Sequence, residues 1–231
     1  GTGGAPLFSI ARGRKDPEQA GMLLNTAFFL LSVCALVLMA VGLAFARPIL
    51  VLFGASDSAL IYAYPYLMIY LLGTFPSMLT TGMNPFINAQ GYSTTGMLSV
   101  VIGAAANLIL DPVFIFIFRL GAPGAAIATI ISQFLSASFV LHFLRKKAEF
   151  KIRFLTPEEI RHCGSCAANI VSLGTAGFIM QLTNSLVSIC CNSVLAVTGG
   201  DIYISVMTII SSIRQMVETP IHAMTEEIGR A

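Results

Sequence analysis

The sequence predicts an all-α, polytopic transmembrane helix bundle, and three observations carry that prediction. Apolar residues make up 56% of the chain and charged residues only 10%, with a mean hydropathy of +0.83, whereas a soluble domain carries about 25% Asp, Glu, Lys and Arg. The apolar residues fall in run after run of about 20, the length that crosses a bilayer core. The breaks between those runs alternate between rich and poor in Lys and Arg, as the positive-inside rule demands.

The elements follow in order. A half-span near residues 1 to 11 opens on Gly1-Thr2-Gly3-Gly4, with no initiator Met and no signal-peptide pattern, so the chain is expected to start within a helix. Full spans are expected near 22 to 46, 60 to 87, 96 to 118, 122 to 144, 165 to 198 and 202 to 225. Arg12, Arg14 and Lys15 place the first break in the cytoplasm, and Arg145, Lys146, Lys147, Lys151, Arg153 and Arg161 do the same for the long break after residue 144. The breaks holding Arg47, Arg119 and Asp201 fall outside, and alternation alone places the break from Asn88 to Thr95 inside.

The stretch from Arg145 to His162 mixes Phe150, Ile152, Phe154 and Leu155 with bases and offers a helix start at Thr156-Pro157-Glu158-Glu159. It reads either as an interfacial linker resting on anionic headgroups or as a solvated loop. It divides the chain into residues 1–144, a partial first transmembrane lobe, residues 145–164, a cytoplasmic linker, and residues 165–231, the start of a second lobe. No internal repeat is visible at the residue level.

Composition also excludes. A net charge of +2, with bases clustered between apolar runs, gives no nucleic-acid surface. The five cysteines, Cys34, Cys163, Cys166, Cys190 and Cys191, form no disulfide framework, and Cys163-Gly-Ser-Cys166 lacks the second pair a zinc site needs, so all are expected to be reduced thiols. His142, His162 and His222 show no metal spacing, and no nucleophile stands with a base, so no cofactor and no enzymatic activity is expected. The 10 methionines and 16 phenylalanines could line a cavity for apolar cations, but most are expected to pack or face lipid.

Asp111 is the residue that asks for a function. It lies well inside an apolar span, where a carboxylate costs at least ~2.5 kcal/mol and marks an ion or proton pathway. Asn107, four residues earlier, shares its helix face and can hydrogen-bond to it or share a cation. Pro112 removes a backbone donor and loosens the helix there. The competing reading makes Asp111 a wetted cap before proline. Asn84, before Pro85, and Thr129, among small residues, are polar groups of neighbouring spans. Asn84 alone could be a plain interhelical hydrogen bond, and Thr129 alone could bond back to its own helix.

The string Asn107-Leu-Ile-Leu-Asp111-Pro-Val-Phe-Ile-Phe, followed by Leu120-Gly-Ala-Pro-Gly-Ala-Ala-Ile-Ala-Thr129-Ile-Ile-Ser-Gln133, resembles the fifth and sixth helices of the multidrug and toxic compound extrusion (MATE) family. Asn88-Ala-Gln-Gly91 resembles that family's loop after the fourth helix, and Gly3-Gly4-Ala5-Pro6-Leu7-Phe8-Ser9 its second-helix end. The resemblance implies twelve helices in two six-helix lobes, of which this chain covers the second to eighth: most of a first lobe and two helices of a second. It implies that Asp111, Asn107, Asn84 and Thr129 form a proton or sodium site in the first lobe, the only metal site implied. The first helix, which in one branch gives the site a second acid, has no counterpart here. Where the other branch carries an acid on its seventh helix, this sequence has Gln181 and Asn184. After Thr219-Pro220-Ile221-His222-Ala223-Met224-Thr225 the family pattern gives way to Glu226-Glu227-Ile228-Gly229-Arg230-Ala231.

Arg214 and Glu218, four apart, are expected to pair or to contact substrate, with Gln181 and Asn184 as further cavity candidates. The function implied is a cation-coupled antiporter, driven by H+ or Na+, that exports amphipathic or cationic drugs across the plasma membrane. Its partners would be the bilayer, those substrates and the remaining helices of a full-length transporter. The alternatives are a lipid-linked oligosaccharide flippase of the same superfamily and a truncated, non-transporting membrane module.

Overall fold

A computed structural model describes residues 1–53, 55, 57–153 and 164–230. Its elements are helices α1 (Gly4–Gly13), α2 (Pro17–Ala44), α3 (Ala46–Leu52), α4 (Asp57–Leu72), α5 (Thr74–Ala89), α6 (Ser93–Pro112), α7 (Ala122–Lys146) and α8 (Gly164–Arg230). A π-helical turn, Val113–Ile117, extends α6. No strand occurs among the described residues. The helices α2, α6 with its π turn, α7 and the first part of α8 are each long and apolar enough to cross a membrane. The chain is therefore a multi-pass membrane protein.

Local chemistry sets the ends. Asp16 caps α2, its side chain accepting from Gln19 N at 3.0 Å, and Pro17 takes a first-turn position where no N–H is needed. Arg119 and Gly121 adopt positive φ, +53° and +59°, to turn the chain from the π segment into α7.

Two expected spans look different in the structure. The run from 60 to 87 is a bent pair, α4 and α5, meeting at 52° around Gly73. A Cβ on Gly73 would strike Gln133 Oε1 of α7, so glycine lets the bend nest against its neighbour. The break expected at Asp201 does not form, because α8 runs unbroken for 67 residues through Gly199 and Gly200. Two glycines weaken a helix by only about 1 kcal/mol each. Most described side chains of α8 are exposed, so among the described residues little packing is present to hold the helix in a turn.

The core lies at one end of the bundle. Phe8, Leu24, Leu79, Met83, Phe86, Ile87, Val140 and Leu144, from α1, α2, α5 and α7, are all buried. The Phe8 ring meets Phe86 edge-on at 5.7 Å and Phe150 at 5.3 Å. This end gathers the three breaks that charge and alternation assign to the cytoplasm. Arg12 Nη1 donates to the Ala89 carbonyl and Nη2 pairs with Glu149, both at 2.9 Å. Over its first residues the segment after α7 packs back onto the lobe. Ala148 and Ile152 are buried in the core, Gln90 Oε1 accepts from Phe150 N at 3.0 Å, and Asn25 Oδ1 accepts from Arg153 N at 2.8 Å. The expected helix start at 156–159 lies outside the described residues.

The start of α8 touches α1 and α2, with Ile170 buried and Cys166 packed against the core. Cys34, Cys190 and Cys191 are free thiols, and Cys163 lies outside the described residues.

Candidate functional site

Counting along the helices explains which polar residues meet. The turn at 118–121 lies between Asp111 and Thr129, at a similar distance from each, so an antiparallel α6–α7 pair brings them to one level. Asn107 Nδ2 donates to Asp111 Oδ1 at 3.2 Å and to Thr129 Oγ1 at 3.4 Å. Thr129 Oγ1 in turn donates to the Ala125 carbonyl at 2.9 Å, so its bond back to its own helix and its place in the trio coexist. Asp111 is not a helix cap, since the helix continues past it into the π turn. Pro112 gives no N–H to the Leu108 carbonyl, and the helix widens just after it.

With both Asn107 amide hydrogens facing oxygen acceptors, the free valences of the trio are oxygens: the Asn107 carbonyl, the second Asp111 oxygen and the Thr129 lone pairs. Such a set takes a proton or a small hard cation. The stacked rings of Tyr66 and Tyr70 on α4 stand 5.8 Å apart, with Tyr66 within electrostatic reach of Asp111.

Asn107 and Thr129 stand on the wall of a cavity of about 310 Å³ between α5, α6 and α7. Hydroxyls furnish most of the polar wall: Ser77, Thr80, Thr81, Ser132 and Ser136. Gln133 Oε1 is buried there with no hydrogen-bond partner. The volume would hold roughly ten waters at ~30 Å³ each. The hydroxyl lining was missed in the sequence, yet Ala125, Thr129, Ser132 and Ser136 recur at helical spacing on α7, a small and polar stripe on an apolar helix.

Asn84 does not join the trio. It sits nearer the cytoplasmic end, where its Nδ2 donates to the Gly96 carbonyl at 3.2 Å and to Ser99 Oγ at 3.3 Å. It is five residues before the end of α5, so the α5–α6 turn sets it level with residues 96–99 rather than 107–111. Gln181 and Asn184 are exposed on α8, away from the cavities described here. Arg214 and Glu218 pair with each other at 3.6 Å, both well exposed.

The geometry is that of a bent, multi-pass membrane helix bundle with a carboxylate beside a hydroxyl-lined cavity. Residues 1–113 match the MatE family model. The chain is 26% identical over 203 residues to the multidrug export protein MepA of Staphylococcus haemolyticus (strain JCSC1435), a match covering 87% of this chain and 44% of that protein. It is 38% identical over 98 residues to Protein DETOXIFICATION 42 of Arabidopsis thaliana, covering 42% of this chain and 19% of that protein. Its fold matches an inward-facing multidrug resistance MATE transporter of the MOP superfamily with a TM-score of 0.83 at 24% identity, over 95% of this chain and 50% of that one. The chain is similar to these proteins and spans less than half the length of MepA.

Proposed function

We propose that the chain supplies the ion-coupling lobe of an antiporter that exports amphipathic, often cationic compounds across the plasma membrane, driven by H+ or Na+. The observation that carries this reading is the Asp111, Asn107 and Thr129 trio beside a hydroxyl-lined cavity inside an apolar lobe. Residues 145–164 link this lobe to the second, which residues 165–231 begin, with Gln181, Asn184, Arg214 and Glu218 all on α8.

The mechanism is differential binding. An ionised Asp111 favours the conformation that keeps it watered, and cation uptake removes that preference, so the two states of the transporter are populated in turn. The multidrug relatives support export of drug-like substrates. A flippase for a lipid-linked pyrophosphate would need bases in its cavity, and neither cavity along α6 is lined by Lys or Arg. A chain acting only as a membrane module would make the trio indifferent to substitution.

The test is drug accumulation in efflux-deficient cells expressing this chain joined to the remaining helices of a MATE transporter. Asp111→Asn should raise accumulation to the vector-control level while membrane insertion is unchanged. Export at the parent rate by this variant overturns the proposal.

A further inference from the structure

The outer end of the lobe carries a base that neither the coupling trio nor the cytoplasmic core uses. We propose that Arg47 of α3, with Leu60, Ile61 and Tyr64 of α4, forms a groove that holds an anionic phospholipid of the outer leaflet by its phosphate.

Depth comes first. The helix α2 is 28 residues long, about 42 Å, and starts at its Asp16 cap beside the basic cytoplasmic break. The hydrocarbon core of a bilayer is only about 30 Å thick, so the far end of α2 reaches the outer headgroups. Arg47 lies three residues past that end, at the level of the lipid phosphates. Phe45, Val51, Leu52 and Phe53, its neighbours along the chain, are exposed apolar side chains. A single guanidinium in such a collar has its stem in an apolar setting and its head at the membrane surface.

The base is unspent. Arg47 is exposed, and among the described residues no carboxylate pairs with it. It stands on the wall of a groove of about 420 Å³ between α3 and α4, with Leu60, Ile61 and Tyr64 as the other described lining residues. Leu60 and Ile61 precede Tyr64 by four and three residues, so all three share one face of α4. Since α4 runs inward from the outer end, Tyr64 lies about 5 Å deeper than the two aliphatic side chains.

The lining defines the ligand. A guanidinium fork matches two oxygens of a phosphate. Leu60 and Ile61 offer an apolar surface to the start of an acyl chain, and the Tyr64 hydroxyl can donate to a glycerol ester carbonyl, the kind of contact that suits tyrosine to membrane interfaces. Arg47 repels a cationic compound, and a bare anion gains nothing from the aliphatic wall. In phosphatidylglycerol the phosphate has no cation of its own, whereas phosphatidylcholine brings one, so Arg47 favours the former. The groove is separate from both cavities along α6, and the inference does not rest on the proposed transport function.

The test is lipid retention by the full chain, released from nanodiscs of equal parts phosphatidylglycerol and phosphatidylcholine and weighed by native mass spectrometry. The chain should keep phosphatidylglycerol in preference to phosphatidylcholine. Arg47→Gln should lower that retention roughly fivefold, the scale of one base against an anionic headgroup. Tyr64→Phe should lower it roughly threefold, the scale of one hydrogen bond. Both side chains are exposed and outside the core, so neither substitution disturbs the lobe. Arg119→Gln removes the other base of the outer breaks, which lines none of these three cavities, and should leave retention unchanged. Equal losses in Arg47→Gln and Arg119→Gln would mean that charge alone gathers the lipid and would overturn the groove. Equal retention of the two lipids by the parent, or retention indifferent to Arg47→Gln, overturns it as well.

Discussion

Phe86 and Val187 both belong to apolar helices in the membrane, yet Phe86 is fully buried and Val187 is 56% exposed. The first lies where α1, α2, α5 and α7 converge with the strap at 148–153, and the second lies midway along α8. Hydropathy places both in the bilayer and does not separate them. In lipid the apolar solvent surrounds either side chain equally well, so what distinguishes them is close packing, which depends on neighbours supplied by other helices.

That contrast can be broken or sharpened by substitution. Phe86→Ala removes a ring packed against Phe8 and should cost about 3 kcal/mol, read as a large drop in melting temperature in detergent. Asn25→Ala removes the acceptor for Arg153 N and should cost about 1 kcal/mol, with faster amide exchange confined to residues 148–153. Val187→Ala should change melting by no more than about 0.5 kcal/mol. A loss at Val187 as large as that at Phe86 would mean that α8 is covered in the membrane, and the contrast would collapse.

Much of the fold was legible because it rests on local rules. Span length, basic breaks and the four-residue spacing of Asn107 and Asp111 need only one helix at a time. The grouping of Arg12, Ala89 and Glu149 at one end agrees with the charge reading, including the base-free break that alternation alone assigned. Thr129 stands out as a polar group among small residues, its place beside Asp111 is implied by the family resemblance, and counting outward from the turn at 118–121 gives the same level.

The same counting from the α5–α6 turn would have separated Asn84 from the trio, since its partners Gly96 and Ser99 are the residues a hairpin sets opposite it. The bend at Gly73 was hidden because the neighbour it nests against, Gln133, lies sixty residues away on α7. The burial of Ile152 was hidden because a run mixing bases with apolar residues looks the same whether it rests on headgroups or folds back into the lobe. The continuity of α8 was hidden because a glycine pair ends a helix only when other contacts reward the turn.

The strap also imposes an order in time. Asn25 and Arg153 are 128 residues apart, and Arg12 and Glu149 are 137 apart. On a chain made from its N-terminus, α1, α2 and α5 are synthesised long before the strap that closes over them. Until residue 153 is made, the acceptors on Asn25 and Gln90 lack these mates and one side of Phe8 lacks its cover. Closure of the lobe's cytoplasmic end is therefore a late event in biogenesis, timed by translation past the end of α7.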